Sequence, residues 1–402
     1  MRKSLSLKRS VLAIMLLLIS ITCAKAQETV FTFEAANPGD FAAAHAATDF
    51  TAYTETTLKV SGPLNGADIN AIKTAISQRF TTLDIGGAKI TSDGQYTGEF
   101  EVREMKEDTI ATYMFARSTN LQHIVFPEGL KRIGDYAFYD CTIQELDLSS
   151  LTQLKTIGPS AFKSCDNLGT VKFPASLQSI GDDAFMYCYK IAPEFAEGSI
   201  LKSIGVHAFY NCYEMTSISI PNSVEEIGSG AFAACNKLAT ANIPTSLKAI
   251  PESMFSSCSK LKLTDVTIPA SVQSIGTGAF AGCVQFTKIA IPEGVTALPS
   301  SVFEGCTFLS DITLPTTLTS LGSNVFLNCK YLESITLPSG LLSIGSGAFW
   351  GCIGLKSIVL PDNVTNIDVN TFKGCTALES ITLPDTVDGI SQDGFHGCKA
   401  LT

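Results

Sequence analysis

The sequence predicts an α/β repeat solenoid in which each coil of about 23 residues supplies one short strand and one short helical or 3-10 turn. Three observations predict it. Twelve cysteines, from Cys141 to Cys398, recur at intervals of 23, 24 or 25 residues. A phenylalanine stands three residues before every one of them, from Phe138 to Phe395, and Phe115 extends that column one unit earlier, with Ser118 in the place of the cysteine. Between cysteines the apolar residues alternate as they do in a strand.

The unit from Phe326 to Phe349 shows how each element is specified. Leu332, Ile335 and Leu337 form the Leu-x-x-Ile-x-Leu strand signature of a leucine-rich-repeat solenoid. The alternation of Ile335 and Leu337 sends both side chains to one inner face. Pro338 ends strand pairing, because it offers no N–H to the next rung. Ala348, Phe349 and Cys352 fit a short helical turn on the far side, with Ala348 and Cys352 four apart on one face. Gly345 follows the isoleucine, and eight of the twelve cysteine-bearing units have glycine at this phase, whereas Pro251 and Pro299 occupy it in two others. Proline fixes φ near −65°. The phase therefore does not demand positive φ, and the glycine is expected to serve a tight bend. Each coil buries one side only, so no unit should fold alone. Stacking at rungs of ~4.8 Å would give twelve coils a length of roughly 55–60 Å.

The full pattern, Ile-Pro-x-x-Val-x-x-Ile-Gly-x-x-Ala-Phe-x-x-Cys-x-x-Leu-x-x-Ile, resembles the BspA-like class of bacterial surface leucine-rich repeats. The resemblance runs from about Ile110 to the last residue. It implies a secreted or cell-surface adhesive protein, with host matrix proteins or other cells as partners. It does not identify the ligand.

Residues 1–26 read as a secretory signal: Arg2, Lys3, Lys8 and Arg9, then the apolar run Val11 to Ile21, then Ala24-Lys25-Ala26 as a cleavage site before Gln27. The rival reading makes Cys23 a lipoprotein cysteine, but Ser20 and Thr22 match that motif poorly. No second apolar stretch is long enough for a membrane span. Residues 27–109 read as an N-terminal cap with irregular first repeats. Asp68 is expected to N-cap a helix with an apolar stripe of Ile69, Ile72 and Ile76. Phe80, Leu83 and Ile85 repeat the strand signature, Leu58 and Val60 suggest an earlier rung, and the polar stretch Gly86 to Thr109 reads as an insertion. Residues 110–402 hold about twelve or thirteen coils, the last incomplete. The final coil is expected to be truncated or covered by a partner. Two units depart from pattern. The one after Cys188 is expected to break its strand around Pro193 and Phe195, and the one after Cys258 carries two extra residues before Pro269.

Composition and motifs exclude most chemistry. The net charge is −10, and five of the 28 basic residues lie in the signal. So acidic a chain repels nucleic acid and anionic membranes. No Cys-x-x-Cys pair suggests a metal site. In-register stacking would hold neighbouring Cβ atoms side by side at nearly the rung spacing, too far and wrongly aimed for disulfides, so the cysteines are read as buried thiols. His45, His123, His207 and His396 lie in no nucleophile or metal pattern, no paired carboxylates stand out, and the glycines follow the repeat period rather than a phosphate loop. No enzyme activity and no cofactor are expected.

Binding is what remains. The outward strand column reads Lys172, Ser219, Asn242, Thr267, Ala290, Thr313, Thr336, Val359 and Thr382, flanked by Lys288, Asp311, Glu333, Lys356 and Glu379. Threonine suits strands in any case, and a flat ladder of it offers no anchor. The better candidate is on the turn side. Six of the ten tyrosines lie between residues 136 and 213, and Tyr187, Tyr189, Tyr210 and Tyr213 flank the Phe-x-x-Cys turns of two successive coils. These four are the candidate ligand contacts, unless they merely pack over the irregular coil at Phe195. The ligand class expected first is a protein of the matrix or a cell surface. Surface glycan capture and a passive spacer are the alternatives.

Overall fold

The computed structural model describes residues 30–262 and 268–402. The signal segment with Cys23, the cleavage site and Thr267 lie outside the described residues.

Each coil turns three corners. The expected strand column is present: Thr170–Phe173, for example, pairs in parallel with Ala192–Phe195. A second strand column, which the alternation in the sequence does not separate, begins six to nine residues after the first ends, at the x-Ile step before the glycine. Thr109–Ile110, Arg132–Ile133, Thr156–Ile157, Ser179–Ile180, Ser203–Ile204 and Glu226–Ile227 form one six-stranded parallel sheet there. In most coils the isoleucine or leucine of each column is buried and the residue before it is half-buried or exposed, whereas Ile390 in the last coil is exposed. Between the two, the proline carbonyl accepts the N–H of the leucine three residues on, as from Leu341 to Pro338 at 3.0 Å.

The third side is not a helix. In the coil of Phe162, the N–H groups of Ala161, Lys163 and Cys165 donate to Gly158, Ser160 and Phe162, the three-residue span of a 3-10 turn. The N–H groups between them, on Ser160, Phe162 and Ser164, donate instead to Asp182, Ala184 and Met186 of the next coil at 2.7–2.8 Å. A helix would keep every N–H for itself. Here alternate residues are turned outward along the solenoid axis, and Ser160 and Ser164 adopt left-handed φ of 52° and 62° to allow it. Among the described residues the helices are confined to the N-terminal segment.

The phenylalanines form one continuous stack from Phe115 to Phe395, with ring centroids 5.2–6.2 Å apart. The steps exceed the ~4.8 Å rung of a parallel sheet, so the coils fan apart on the turn side. The widest step, Phe255 to Phe280, spans the coil with two extra residues. The glycine after the isoleucine has a different reason from the expected bend. A Cβ on Gly205 would meet the backbone of Gly181 and Asp182 at 2.5 Å, one coil earlier. Close approach of coil to coil demands the small residue there.

Each cysteine Sγ lies 3.0–3.3 Å from the carbonyl oxygen of the phenylalanine one coil before, from Cys141 on Phe115 to Cys398 on Phe372. All twelve are free thiols and all but Cys398 are buried. Burial pushes the Cys352 thiol up to about 12 and drives most of the others well above the ordinary thiol range. The thiol therefore keeps its proton and donates it across the coil boundary.

At the N-terminus, β1 (Val30–Glu34), β2 (Thr57–Leu64), β3 (Thr82–Asp84) and the strand His123–Val125 extend the first strand column as a parallel sheet. Helices α1 (Asp40–Ala46) and α2 (Gly66–Gln78) flank it, with Ile69, Ile72 and Ile76 buried as expected. The N-cap of α2 is Asn65 rather than Asp68. Asp68 sits at the third helical position and closes the reciprocal capping box. Its buried carboxylate also accepts the N–H groups of Gly39 and Ala42, tying α1 to α2. The stretch after Gly86 is partly in register: β4 (Ala88–Ile90) pairs with the end of β2. Only the hairpin of β5 (Gln95–Thr97) and β6 (Val102–Glu104) stands out of the coil path. It is wedged against α2, where a Cβ on Gly66 would meet the Gln95 carbonyl at 2.1 Å. Buried Tyr96 donates from its hydroxyl to the Thr112 carbonyl at 2.6 Å. The coil after Cys188 does not lose its strand. Pro193 stands opposite Val171 in a four-residue pairing, and Phe195 stacks on Phe173 at 4.8 Å.

Two outcomes are expected. Phe280→Ala removes a fully buried ring stacked on both sides and should cost ~3–5 kcal/mol in urea melts. Phe308→Ala, at a ring 38% exposed, should cost about 1 kcal/mol or less. Alkylation of the native protein at pH 8 should reach Cys398 first, because it is half-buried and its thiol is lowered by the Cys375 thiol beside it. Denaturation without reductant should expose all twelve thiols, and an intact mass short by six pairs of hydrogens would contradict the free-thiol column.

Candidate ligand-binding surface

On the strand side, Ser219, Ala290, Thr313, Thr336, Val359 and Thr382 are exposed as expected. Of the charges beside them, all but Glu379 are paired between coils. Lys172 pairs with Asp147 at 3.2 Å, Lys288 with Asp311 at 2.7 Å and Lys356 with Glu333 at 2.6 Å. Asn242 is bonded through both side-chain atoms to the backbone of Ile220. The exposed column on this side is made of short side chains, and most of the charge beside it is paired.

The turn side differs. Two residues per coil, two before and two after each core phenylalanine, hold left-handed φ of 52–82° in every coil from Phe115 to Phe395. That conformation costs an L-residue roughly 1–2 kcal/mol, least for Gly, Asn and Asp. Most coils comply, with Gly, Asn, Asp or Ser. The bulky exceptions are Tyr113, Arg117, Tyr136, Tyr187 and His207, all within five successive coils.

The four sequence-nominated tyrosines meet on this side. Tyr187 lies 6.3 Å from Tyr189 and edge-on to Tyr210 at 5.9 Å, and Tyr189 lies 4.9 Å from Tyr213. His207 joins at 5.2 Å from Tyr210. Tyr187, Tyr189 and Tyr210 are half-buried and Tyr213 is exposed. Burial raises the Tyr189 phenol above its ordinary range, helped by the Asp166 carboxylate. The rings contact one another, whereas the ring partner of Phe195 is Phe173.

A second cluster escaped the sequence reading. Tyr113 and Tyr136 stack at 4.6 Å and 10°, and Tyr139 stands edge-on to Tyr136 at 6.0 Å. Phe100, at the hairpin tip and 73% exposed, packs on Tyr113 at 5.4 Å. The Arg103 and Arg117 guanidiniums lie over Tyr113 and Tyr139 at 5.5 and 5.7 Å. Arg117 is held by Glu99 at 2.6 Å and Asp140 at 3.6 Å. The signal available in the sequence, for Tyr113 and Tyr136, was tyrosine at a phase that most other coils give to Ser, Asp, Asn or Gly. The contribution of the hairpin had no sequence signal at all.

Among the described residues, none of these seven tyrosine hydroxyls makes a hydrogen bond within the protein. Among the same residues no three His, Cys, Asp or Glu side chains converge as a metal ion would require, and no helix is long and apolar enough to cross a membrane.

The chain matches the model of the BspA type leucine rich repeat region in six copies, over residues 99–196, 193–310, 259–379 and 296–402. A leucine-rich repeat protein of Bacteroides ovatus is similar in structure, with 25% identity and a TM-score of 0.54, over 80% of this chain and 73% of that one. A leucine rich cell surface protein of Faecalibacterium prausnitzii is 26% identical over 80% of this chain and 86% of that one, with a TM-score of 0.47. No curated protein sequence is significantly similar to the chain. With the repeat model spanning most of the sequence and the same phases building its core, the chain belongs to the BspA-type leucine-rich-repeat family.

Proposed function

We propose that this is an exported surface protein that binds and does not catalyse, an adhesin whose ligand is a protein of the extracellular matrix or of another cell. Repeats of this family serve protein interaction and adhesion in general, and that supports the class. One observation carries the choice of surface. Tyr187, Tyr189, Tyr210 and Tyr213 gather on the turn side with three rings half-buried, that of Tyr213 exposed, and their hydroxyls unbonded. Tyrosine so placed offers large contact area at low entropic cost and a polar tip, the composition of interface hot spots. The strand side offers no comparable anchor.

The reading is tested by immobilising matrix proteins and a glycan array and measuring retention of the mature chain. Tyr187→Ala or Tyr210→Ala should weaken capture by about 2 kcal/mol or more at nearly unchanged melting, and Thr313→Ala should do little. Sensitivity at Thr313 with silent tyrosines would move the site to the strand side, and retention by glycans alone would change the ligand class. Export is expected through cleavage after Ala26. Mass spectrometry of the mature protein should find Gln27 at the N-terminus, whereas a diacylglyceryl group on Cys23 would mean lipid anchoring.

A further inference from the structure

We propose that a notch on the turn side, over Ser164 between Asp140 and Tyr187, seats an arginine side chain of a polypeptide partner. The inference rests on reading the turn side as the ligand surface, and it names the chemistry of the ligand's anchoring group.

The notch follows from a single column. The residues two after each core phenylalanine stack from coil to coil, and this column reads Arg117, Asp140, Ser164, Tyr187 and Asn211. Ser164 is a short residue between two longer ones. The phenylalanines of these three coils rise by steps of 5.2 and 5.3 Å. Two rungs therefore separate Asp140 from Tyr187, with only a serine side chain between them. The neighbouring column, one after each cysteine, places Asp166 and Tyr189 alongside. One wall of the notch is thus acidic and the other aromatic. Asp140 and Asp166 are exposed, and Ser164, Tyr187 and Tyr189 are half-buried.

Negative charge is left over here. Among the described residues Asp166 forms no ion pair, and Arg117 alone faces both Asp140 at 3.6 Å and Glu99 at 2.6 Å. Partial burial holds the Asp166 carboxyl above its ordinary range and the Asp140 carboxylate adds to this, against the pull of Lys190. The lysines nearby have other partners. Lys163 pairs with Asp183 at 3.0 Å, and Lys190 donates to the Asn167 side-chain oxygen at 3.0 Å. Two carboxylates beside the negative faces of tyrosine rings favour a cation and repel an anion.

The chain's own arginines show which cation fits. The Arg117 guanidinium lies over the Tyr139 ring at 5.7 Å while its Nε reaches Asp140, and Arg103 lies over Tyr113 at 5.5 Å. No cation of the described residues lies over Tyr187, Tyr189, Tyr210 or Tyr213. A guanidinium over Ser164 would stand against Asp140 on one side and Tyr187 on the other. The Asp166 carboxylate and the Ser164 hydroxyl, unbonded among the described residues, would accept its N–H groups. A planar, forked group serves both walls at once, as a lysine ammonium does not. The notch is open and holds one head group, so the surrounding tyrosines are left to the chain that carries the arginine.

Acetyl-Gly-Ser-Arg-Ser-Gly-amide and its lysine and citrulline counterparts are titrated against the mature chain by saturation-transfer NMR, with acetyl-arginine methylamide as the head group alone. The arginine peptide should bind saturably. The lysine peptide and the head group alone should each bind at least threefold more weakly, and the uncharged citrulline peptide at least tenfold more weakly. Asp166→Asn and Tyr187→Asn should each weaken the arginine peptide at least fivefold at unchanged melting. Ser164→Arg should abolish its binding by filling the notch from within. The same phases already carry asparagine at Asn236 and Asn211 and arginine at Arg117, so these variants should fold. Thr313→Ala should leave binding unchanged. Silence of the arginine peptide, equal binding of the lysine peptide, the citrulline peptide or the head group alone, or indifference to Ser164→Arg would overturn the proposal. So would Tyr187-dependent binding of maltohexaose in place of the arginine peptide. If the arginine peptide fails while capture by matrix proteins still depends on Tyr187, this inference falls alone and the adhesive reading stands.

Discussion

Everything in this fold depends on coils sharing backbone hydrogen bonds in two opposed senses. On the strand sides most N–H groups shared between coils donate from the later coil to the carbonyl of the earlier one, as from Gly158 to Ile133 at 2.8 Å, with forward bonds only at strand ends such as Leu148 to Lys172 at 2.9 Å. On the turn side the sense reverses, and Phe138 donates forward to Ala161 at 2.8 Å. A buried N–H or carbonyl left without a partner is costly. Removing one coil would orphan groups on both neighbours, and no coil is satisfied alone. Stability is therefore a property of the stack, as in other one-dimensional arrays.

The residue choices at fixed phases follow from that constraint. To face its N–H groups alternately inward and along the axis, the turn must pass twice through left-handed conformation, hence the columns of Gly, Asn, Asp and Ser. To bring coils to hydrogen-bonding distance at the second corner, the residue after the isoleucine must usually lack a Cβ, as at Gly205. Cysteine answers a third requirement. The Phe162 carbonyl accepts the N–H of Cys165 in its own coil, and the thiol of Cys188 in the next coil covers the same oxygen. Cysteine is small and apolar, and it still brings a weak donor.

Because the inward phases are so constrained, outward phases alone are free to carry recognition. The strand side spends them on threonine and on ion pairs that join one coil to the next, exposed enough to contribute little. The turn side places aromatic rings at its costly left-handed positions, and only in the five coils from Phe115 to Phe209. Coils fan apart there, since ring steps of 5.2 Å or more exceed the strand rung. That widening gives side chains at adjacent coils room to present their faces as well as their edges.

The sequence by itself determined the solenoid, its period, its inward residues and the burial of the thiols, because those follow from local chemistry repeated at a fixed interval. It also pointed to Tyr187, Tyr189, Tyr210 and Tyr213 as tyrosines gathered around two successive turns, three of them at phases that are mostly polar elsewhere. It could not separate the second strand column from the loop, because two residues of pairing leave no alternation to read. Nor could it tell a 3-10 turn that keeps its N–H groups from one that lends half of them away. It named Asp68 as a cap where the structure uses Asn65, because a buried carboxylate that joins two helices looks locally like an ordinary capping residue. It missed the cluster of Phe100, Tyr113, Tyr136 and Tyr139, since the hairpin that carries Phe100 reaches the turn side only by wedging against α2. Repetition made the core legible from one unit. The positions that break the repeat acquire their neighbours only when coils, hairpin and helix pack together, and that packing was decided in three dimensions.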